Sequence, residues 1–285
     1  MATSDSNFSI ELDEKKGRVL VAKRPLNQGE LILHEKPLVH GMSRDSGLVC
    51  FGCYGSLDDE DPYACRLCGL PLCSAECEPS SAHEPECQAF QSLGQERGRQ
   101  VTMELLEDIP TLLDIIMILR CLGLKSKTND EWFKLNQLQS DFEDHLDGDL
   151  EEAMNHTLHT MLLHFQQDRD TLLRLYGILT INAFEIPNAT SEANLASIYA
   201  TGCLPEHHCV PTCHRSFGPD LSITLRAAVA LETNQRISIT YTDSLWPTLD
   251  RRAHLAYSKH FLCDCSRYTV HTGAKIQNSS ENSHF

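Results

Sequence analysis

Thirteen cysteines in a chain of 285 residues are the densest chemical signal here, and seven of them fall between Cys50 and Cys87. That stretch reads C-x2-C-x11-C-x2-C-x4-C-x3-C-x5-H-x3-C, which supplies the pairs Cys50/Cys53, Cys65/Cys68, Cys73/Cys77 and His83/Cys87. A two-residue spacer makes a tight knuckle that aims two sulfurs at one ion, and a three-residue spacer puts ligands at i and i+4 on one face of a helical turn. Eight ligands therefore make two tetrahedral sites of the kind zinc takes. Each structural zinc contributes about 10–16 kcal/mol of apparent binding energy, so a segment of this kind folds by binding metal. Unpaired structural cysteines would not repeat the knuckle spacing in this order. The remaining six are Cys121, Cys203, Cys209, Cys213, Cys263 and Cys265. Of these, Cys121, Cys203 and Cys213 read as small core residues. His207 and His208 stand too close in sequence to Cys209 to form a base and nucleophile pair, which argues against a cysteine hydrolase.

The charge balance narrows the partners. Lys and Arg total 24 against 40 Asp and Glu, a formal net charge of -16. Between Cys50 and Cys87 there are eight acids (Asp58, Asp59, Glu60, Asp61, Glu76, Glu78, Glu84 and Glu86) and one base, Arg66. Phosphate backbones and anionic membrane surfaces are repelled, so direct nucleic-acid and membrane binding are not expected and a protein partner is. A second acidic run, Asp141, Glu143, Asp144, Asp147, Asp149, Glu151 and Glu152, reads as a solvated loop entering a helix, with a landing strip for a basic peptide as the other reading. The longest apolar run, Leu112 to Leu124, is broken by Asp114 and Arg120 and falls short of the roughly 20 residues that cross a bilayer. The start, MATSDSNFSIELDEKK, has no apolar core behind a basic end, and free thiols persist in a reducing compartment. An intracellular protein, cytoplasmic or nuclear, is expected.

The elements that must position these residues are read from periodicity. Residues 17–39 alternate apolar and polar on either side of a Pro25 to Gly29 turn, as two short strands would. Leu221, Ile223 and Leu225 alternate again, and beyond a turn at Thr233-Asn234 the run Ile237, Ile239 and Tyr241 keeps one face, which points Tyr241 inward. Between these, Leu150, Met154, Leu158, Met161, Leu162 and Phe165 recur at helical steps, and Leu172 to Leu179 forms a second stripe. The order is strands, cysteine module, helical block, strands: an α+β chain in which one β domain is split by two insertions.

The cysteine module resembles the MYND zinc finger at every ligand position. The whole order resembles the SET-MYND protein-lysine methyltransferases, and within them the arthropod SmydA branch with its msta-type members. The residues that carry the likeness are Lys16-Gly17-Arg18-Val19, the complete finger, Asn182-Ala183-Phe184-Glu185-Ile186, Glu206 to Cys213, Ile239 to Trp246, Arg251-Arg252, and Phe261-Leu262-Cys263-Asp264-Cys265. The resemblance implies a SET-type β domain split by the finger and a helical insertion. Its parts would be 1–49 and 181–245 for the SET halves, 50–87 for the finger, 88–180 for the helical insertion, 246–267 for a partial post-SET segment and 268–285 for a disordered tail. It implies that the finger pairs interleave, with Cys50, Cys53, Cys73 and Cys77 on one zinc and Cys65, Cys68, His83 and Cys87 on the other. It implies S-adenosylmethionine lying against Lys16, Gly17 and Arg18, with Asn182, Glu206, His207 and Phe261 completing the pocket, and Tyr241 as the catalytic tyrosine. The implied substrate is a basic protein or peptide, histone or otherwise, and the finger would recruit a separate protein partner.

Three departures from the family pattern bear on activity. Glu206-His207-His208-Cys209 stands where Asn-His-Ser-Cys is usual, which places a carboxylate beside the cofactor. A third zinc site usually has four cysteines; Cys209, Cys263 and Cys265 are kept while Tyr268 holds the last position, leaving His208 or a water as fourth ligand. After Arg267 the chain turns polar, as in an alternative or truncated product lacking the family's C-terminal helical region. The rival reading is thus a catalytically weak or inactive scaffold that recruits partners through its finger, in transcriptional regulation for example.

Overall fold

The computed structural model describes residues 6–57, 62–140, 148–188, 191, 193–259 and 261–267. Tyr268, the tail expected to be disordered, Asp58 to Asp61 and the first part of the second acidic run lie outside them.

In chain order the strands β1 (Phe8–Asp13), β2 (Gly17–Ala22), β3 (Leu31–Glu35) and β4 (Val39–Met42) precede the cysteine module, which holds the short strands β5 (Tyr63–Ala64) and β6 (Pro71–Leu72). Six helices follow: α1 (Glu84–Ser92), α2 (Gln95–Leu105), α3 (Ile109–Lys127), α4 (Asn129–Asn136), α5 (Gly148–Phe165) and α6 (Arg169–Asn182). Strands return as β7 (Phe184–Pro187), β8 (Asn194–Ile198), β9 (Glu206–His207), β10 (Cys213–Phe217), β11 (Ile223–Ala227) and β12 (Ser238–Ile239), before α7 (Thr248–Lys259). The chain forms two compact units: the described parts of 1–32, 205–214 and 226–285 make the first, and those of 33–204 and 215–225 the second.

In the first unit β1 and β2 form an antiparallel hairpin from Phe8↔Ala22 to Asp13↔Gly17. Its turn is an Asp-capped one, with the Asp13 Oδ1 accepting from the backbone N–H of Lys15 and Lys16. Gly17 has φ +69, and a Cβ there would meet nothing within 4 Å, so the glycine is required by its backbone conformation and not by crowding. β12 pairs in parallel with β9, setting Ser238 opposite Glu206 and Ile239 opposite His207. This corrects the sequence reading on two points. β2 takes β1 as its partner, a strand the alternation of residues 8–13 carried but which lay outside the segment read. Tyr241 is not on β12, which ends at Ile239; it lies in the bend that follows and is half-buried where Ile237 and Ile239 are fully so.

The second unit is built around α3. The helix is buried on nearly every side, from Leu112 and Leu113 through Ile115, Ile116 and Ile118 to Cys121, as a helix apolar all round must be. It starts at Asp108, whose carboxylate caps Thr111 N–H. Strand β4 and helices α1, α4, α5 and α6 pack against it. The antiparallel order β4-β8-β7 joins Val39↔Ile198 and Ile186↔Leu195. The stripes read at 150–165 and 172–179 are α5 and α6, with Met154, Leu158, Met161, Leu172 and Leu175 inside, while Leu162, read on the first stripe, is exposed. Both charges that break the apolar run have partners: Asp114 pairs with Arg44 and Arg120 with Glu86. No helix among the described residues is long and apolar enough to cross a membrane.

Candidate functional site

The cysteine module assembles two interleaved clusters, Cys50, Cys53, Cys73 and Cys77 in one and Cys65, Cys68, His83 and Cys87 in the other. The pairing is the one the resemblance implied. After each C-x2-C knuckle the next residue turns left-handed, Tyr54 at φ 60 and Gly69 at φ 85, and its N–H closes on the carbonyl of the first cysteine (Tyr54 to Cys50, 2.8 Å; Gly69 to Cys65, 2.9 Å). That reversal is what turns both sulfurs to one point. Gly52 is needed for another reason: a Cβ there would lie 2.7 Å from the Cys77 carbonyl oxygen. Cys87 sits in the first turns of α1 with His83 at its N-cap, so that x3 spacer is helical as expected, whereas between Cys73 and Cys77 Ser74 is extended and only Ala75–Cys77 form a short 3₁₀ turn, which corrects the helical reading of that pair. Sulfur separations of 3.7 Å (Cys53–Cys73) and 3.4 Å (Cys73–Cys77), and 3.5 Å from Cys68 Sγ to His83 Nε2, suit ligands of tetrahedral ions. None of the thirteen cysteines forms a disulfide. The donor sets are those of zinc, and the second cluster is wholly buried while in the first Cys53 and Cys73 are exposed, Cys77 is half-buried and Cys50 is buried.

Glu86 is a residue that sequence reasoning counted only as charge. It is fully buried between His83 and Cys87, and Arg120 reaches it from α3 with Nε at 2.9 Å. The same guanidinium donates to Tyr54 Oη at 2.6 Å and to the His40 carbonyl at 2.7 Å. The finger is thus tied to α3 by one buried ion pair and its hydrogen bonds. Arg120 standing inside an apolar run was the available signal, since a buried cation demands a buried acid. Glu86→Gln leaves that cation unpaired and is expected to lower unfolding free energy by about 3–5 kcal/mol. Denaturant titration of the zinc-loaded protein measures it; a loss below about 1 kcal/mol would contradict the pairing.

A third cluster lies in the first unit: His207, Cys209, Cys263 and Cys265, all buried. Leu255 of α7, fully buried, packs with these sulfurs and Tyr241 lies against them. His208, named beside a water as the fourth ligand, is turned away, its Nδ1 against the Val210 carbonyl at 2.6 Å. It is His207, expected to line a cofactor pocket, that presents Nε2 to Cys209 Sγ at 3.4 Å. Burial lowers the pKa of its imidazole to about 4, so the ring is neutral at physiological pH.

Beside this cluster the structure gathers most of the predicted cofactor and catalytic residues. The rings of His207, Tyr241 and Phe261 meet with centroids 5.4, 5.8 and 6.5 Å apart. Tyr241 donates its hydroxyl to the Pro205 carbonyl at 2.7 Å and its N–H to His207 Nδ1 at 3.1 Å. Lys16 Nζ bonds Glu206 Oε2 at 2.7 Å, and Arg236 stands 4.0 Å from the same oxygen. The Glu206 hydrogen bond raises the Lys16 pKa above its ordinary value. The carboxylate that replaces the family's amide is therefore charge-balanced by a residue expected to bind the same ligand. Arg18 is half-buried on β2. Asn182 belongs to the other unit, where its side-chain N–H groups are spent on the carbonyls of Gln139 and Ile178, both at 2.8 Å.

No family model matches the chain. Among curated proteins it is 29% identical over 273 residues to the SET domain-containing protein SmydA-8, isoform A, of Drosophila melanogaster, covering 92% of this chain and 56% of that protein. It is 27% identical over 268 residues to the histone-lysine N-methyltransferase SMYD3 of Homo sapiens, covering 89% of this chain and 59% of that one. It is 25% identical over 266 residues to the N-lysine methyltransferase SMYD2-B of Danio rerio, covering 90% and 58%. The chain thus spans a little over half the length of the curated relatives it matches. Of solved structures, the SET domain of LSMT bound to MeLysine and AdoHcy is similar at a TM-score of 0.50 and 14% identity, over 92% of this chain and 54% of that one. Fold and clusters together define the class, a SET-type α+β framework with Cys/His clusters fit for a zinc finger. The chain is a homologue of the SET-MYND proteins, the fly SmydA branch among them.

Proposed function

We propose that this chain is the SET-MYND part of an S-adenosylmethionine-dependent protein-lysine N-methyltransferase. The observation that carries the reading is the arrangement around Tyr241: a phenol held by Pro205 O, flanked by His207 and Phe261, in the same unit as the Lys16–Arg18 turn. S-adenosylmethionine, held by these residues, would supply an electrophilic methyl to a lysine Nζ, with the leaving bond pair going to sulfur and the amine's proton to water. Such a transfer needs a neutral amine in line with the leaving sulfur more than it needs acid-base groups. Tyr241 is the orienting residue, its hydroxyl accepting from the amine. Lys16, Gly17, Arg18, Glu206, His207 and Phe261 are the residues proposed for the cofactor pocket in this unit. The substrate is a basic protein segment, which the net charge of -16 favours. The finger recruits a separate protein partner, and thirteen cysteines with no disulfide among them suit the cytoplasm or nucleus.

One observation favours the scaffold reading instead: the Lys16–Glu206 ion pair joins two residues that the cofactor must engage. A bound amino acid would have its ammonium drawn to Glu206 and its carboxylate repelled by it. Calorimetric titration of the full chain with S-adenosylmethionine separates the readings. We expect saturable binding, strengthened several-fold in Glu206→Asn. No heat in either protein, with the fold intact by circular dichroism, would leave the scaffold.

A further inference from the structure

Helix α7 has two opposite faces, and only one of them is covered. Its buried residues are Arg251 and Leu255, and Leu255 packs on the cluster around Cys209 and Cys263. At about 100° per residue, Leu249, Ala253 and Tyr257 form a stripe that points the other way. All three are exposed, Leu249 at 78% and Tyr257 at 71%. The stripe continues past both ends of the helix. Trp246 lies along the helix, its ring edge-on to His254 with centroids 5.2 Å apart, and Leu245 before it is 88% exposed. Beyond the other end the Phe261 N–H returns to the Leu255 carbonyl, and Leu262 follows at 66% exposure. All of these residues belong to the first unit. On a scale of roughly 150–250 Å² for a large side chain, these fractions leave about 600 Å² of apolar surface along one helix. That is the upper limit of what a monomer ordinarily exposes in one patch, about 300–600 Å².

We propose that this face joins two copies of the chain, their α7 helices antiparallel about a two-fold axis at Ala253. Leu249 and Tyr257 stand four residues to either side of Ala253. A two-fold operation therefore sets Leu249 of each copy against Tyr257 of the other, and the stripe is its own complement. Ala253 meets Ala253, and so small a side chain lets the axes approach to the near end of the usual 8–10 Å. The same operation carries Leu245 of one copy toward Leu262 of the other. Two such faces remove about 1,200 Å² from water, the lower bound of a stable specific interface. Charge selects this place for self-association. The whole chain has a formal charge of -16 and repels its copies, whereas residues 243–267 hold three acids and four bases. A face so nearly neutral gives a strongly basic or acidic partner no handle, while a second copy matches it residue for residue. The inference stands apart from methyl transfer, and none of its tests reads activity.

The test is the mass of the zinc-loaded full chain in solution, followed by sedimentation equilibrium across the micromolar range. We expect a monomer–dimer equilibrium that approaches twice the chain mass. Leu249→Lys and Tyr257→Glu each bury two unpaired charges in the dimer and should raise its dissociation constant by about a hundredfold or more. Both positions are exposed, so circular dichroism of the variants should match the parent. Mixing the two variants tests the register. In the mixed dimer one contact pairs lysine with glutamate and the other is the parental Leu249–Tyr257 contact, so association should return to within about tenfold of the parent. A parent chain that stays monomeric throughout, dimers that survive unweakened in both variants, or no recovery on mixing would overturn the proposal. So would a monomer that dimerises only once residues 268–285 are deleted, which would assign the face to that segment.

Discussion

Replacing Tyr241 by Phe is expected to lower methyl transfer by two orders of magnitude or more while S-adenosylmethionine binding stays within a few-fold. The substitution removes only the oxygen. The phenol ring, which packs against His207 and Phe261, remains, and so does the backbone N–H that bonds His207. What is lost is the hydroxyl held at 2.7 Å from Pro205 O, the group proposed to hold the amine in line. An interaction made only as the bond forms appears in turnover and spares ground-state binding. Steady-state kinetics beside calorimetry reads both. Equal losses in binding and rate would make Tyr241 a pocket wall and not an orienting residue.

The second large effect concerns metal. Cys65→Ser should remove one finger ion and with it most of the roughly 10 kcal/mol that a structural zinc supplies, comparable to the whole stability of a domain. Cys65 and Cys68 belong to the same buried cluster of side chains as Leu70, Leu72, Phe90 and the inner face of α3. Failure of that ion therefore exposes core. Cys73→Ser acts on the other cluster, where Cys53 and Cys73 are exposed, and should cost less. Metal content and thermal unfolding of both variants, compared with the parent, decide the matter. Two finger ions and an unchanged Tm in Cys65→Ser would remove the zinc-finger assignment.

The finger was legible in the sequence because its chemistry is local: spacing alone brings ligands to one ion, and the interleaving followed from the resemblance. The helices were legible for the same reason, since α5 and α6 each carry a continuous apolar stripe. What resisted reading depends on distant partners. β12 is two residues long and pairs with β9, some thirty positions away, so alternation overextended it to Tyr241. Glu86 looked like one acid among eight until Arg120 of α3 met it. His207 was expected to serve the cofactor alone, whereas folding turns its Nε2 to Cys209 and its Nδ1 to Tyr241. Lys16 and Glu206, each assigned to a ligand, find one another across 190 positions of sequence.

The activity proposed for this chain is transfer of a methyl group from S-adenosylmethionine to a protein lysine. The direct measurement incubates the purified full chain, a protein extract and methyl-labelled cofactor, and locates the label by mass spectrometry. We expect label on lysine side chains, lost with Tyr241→Phe. Absence of label with the unmutated chain and with Glu206→Asn, or label that persists in Tyr241→Phe, would contradict it.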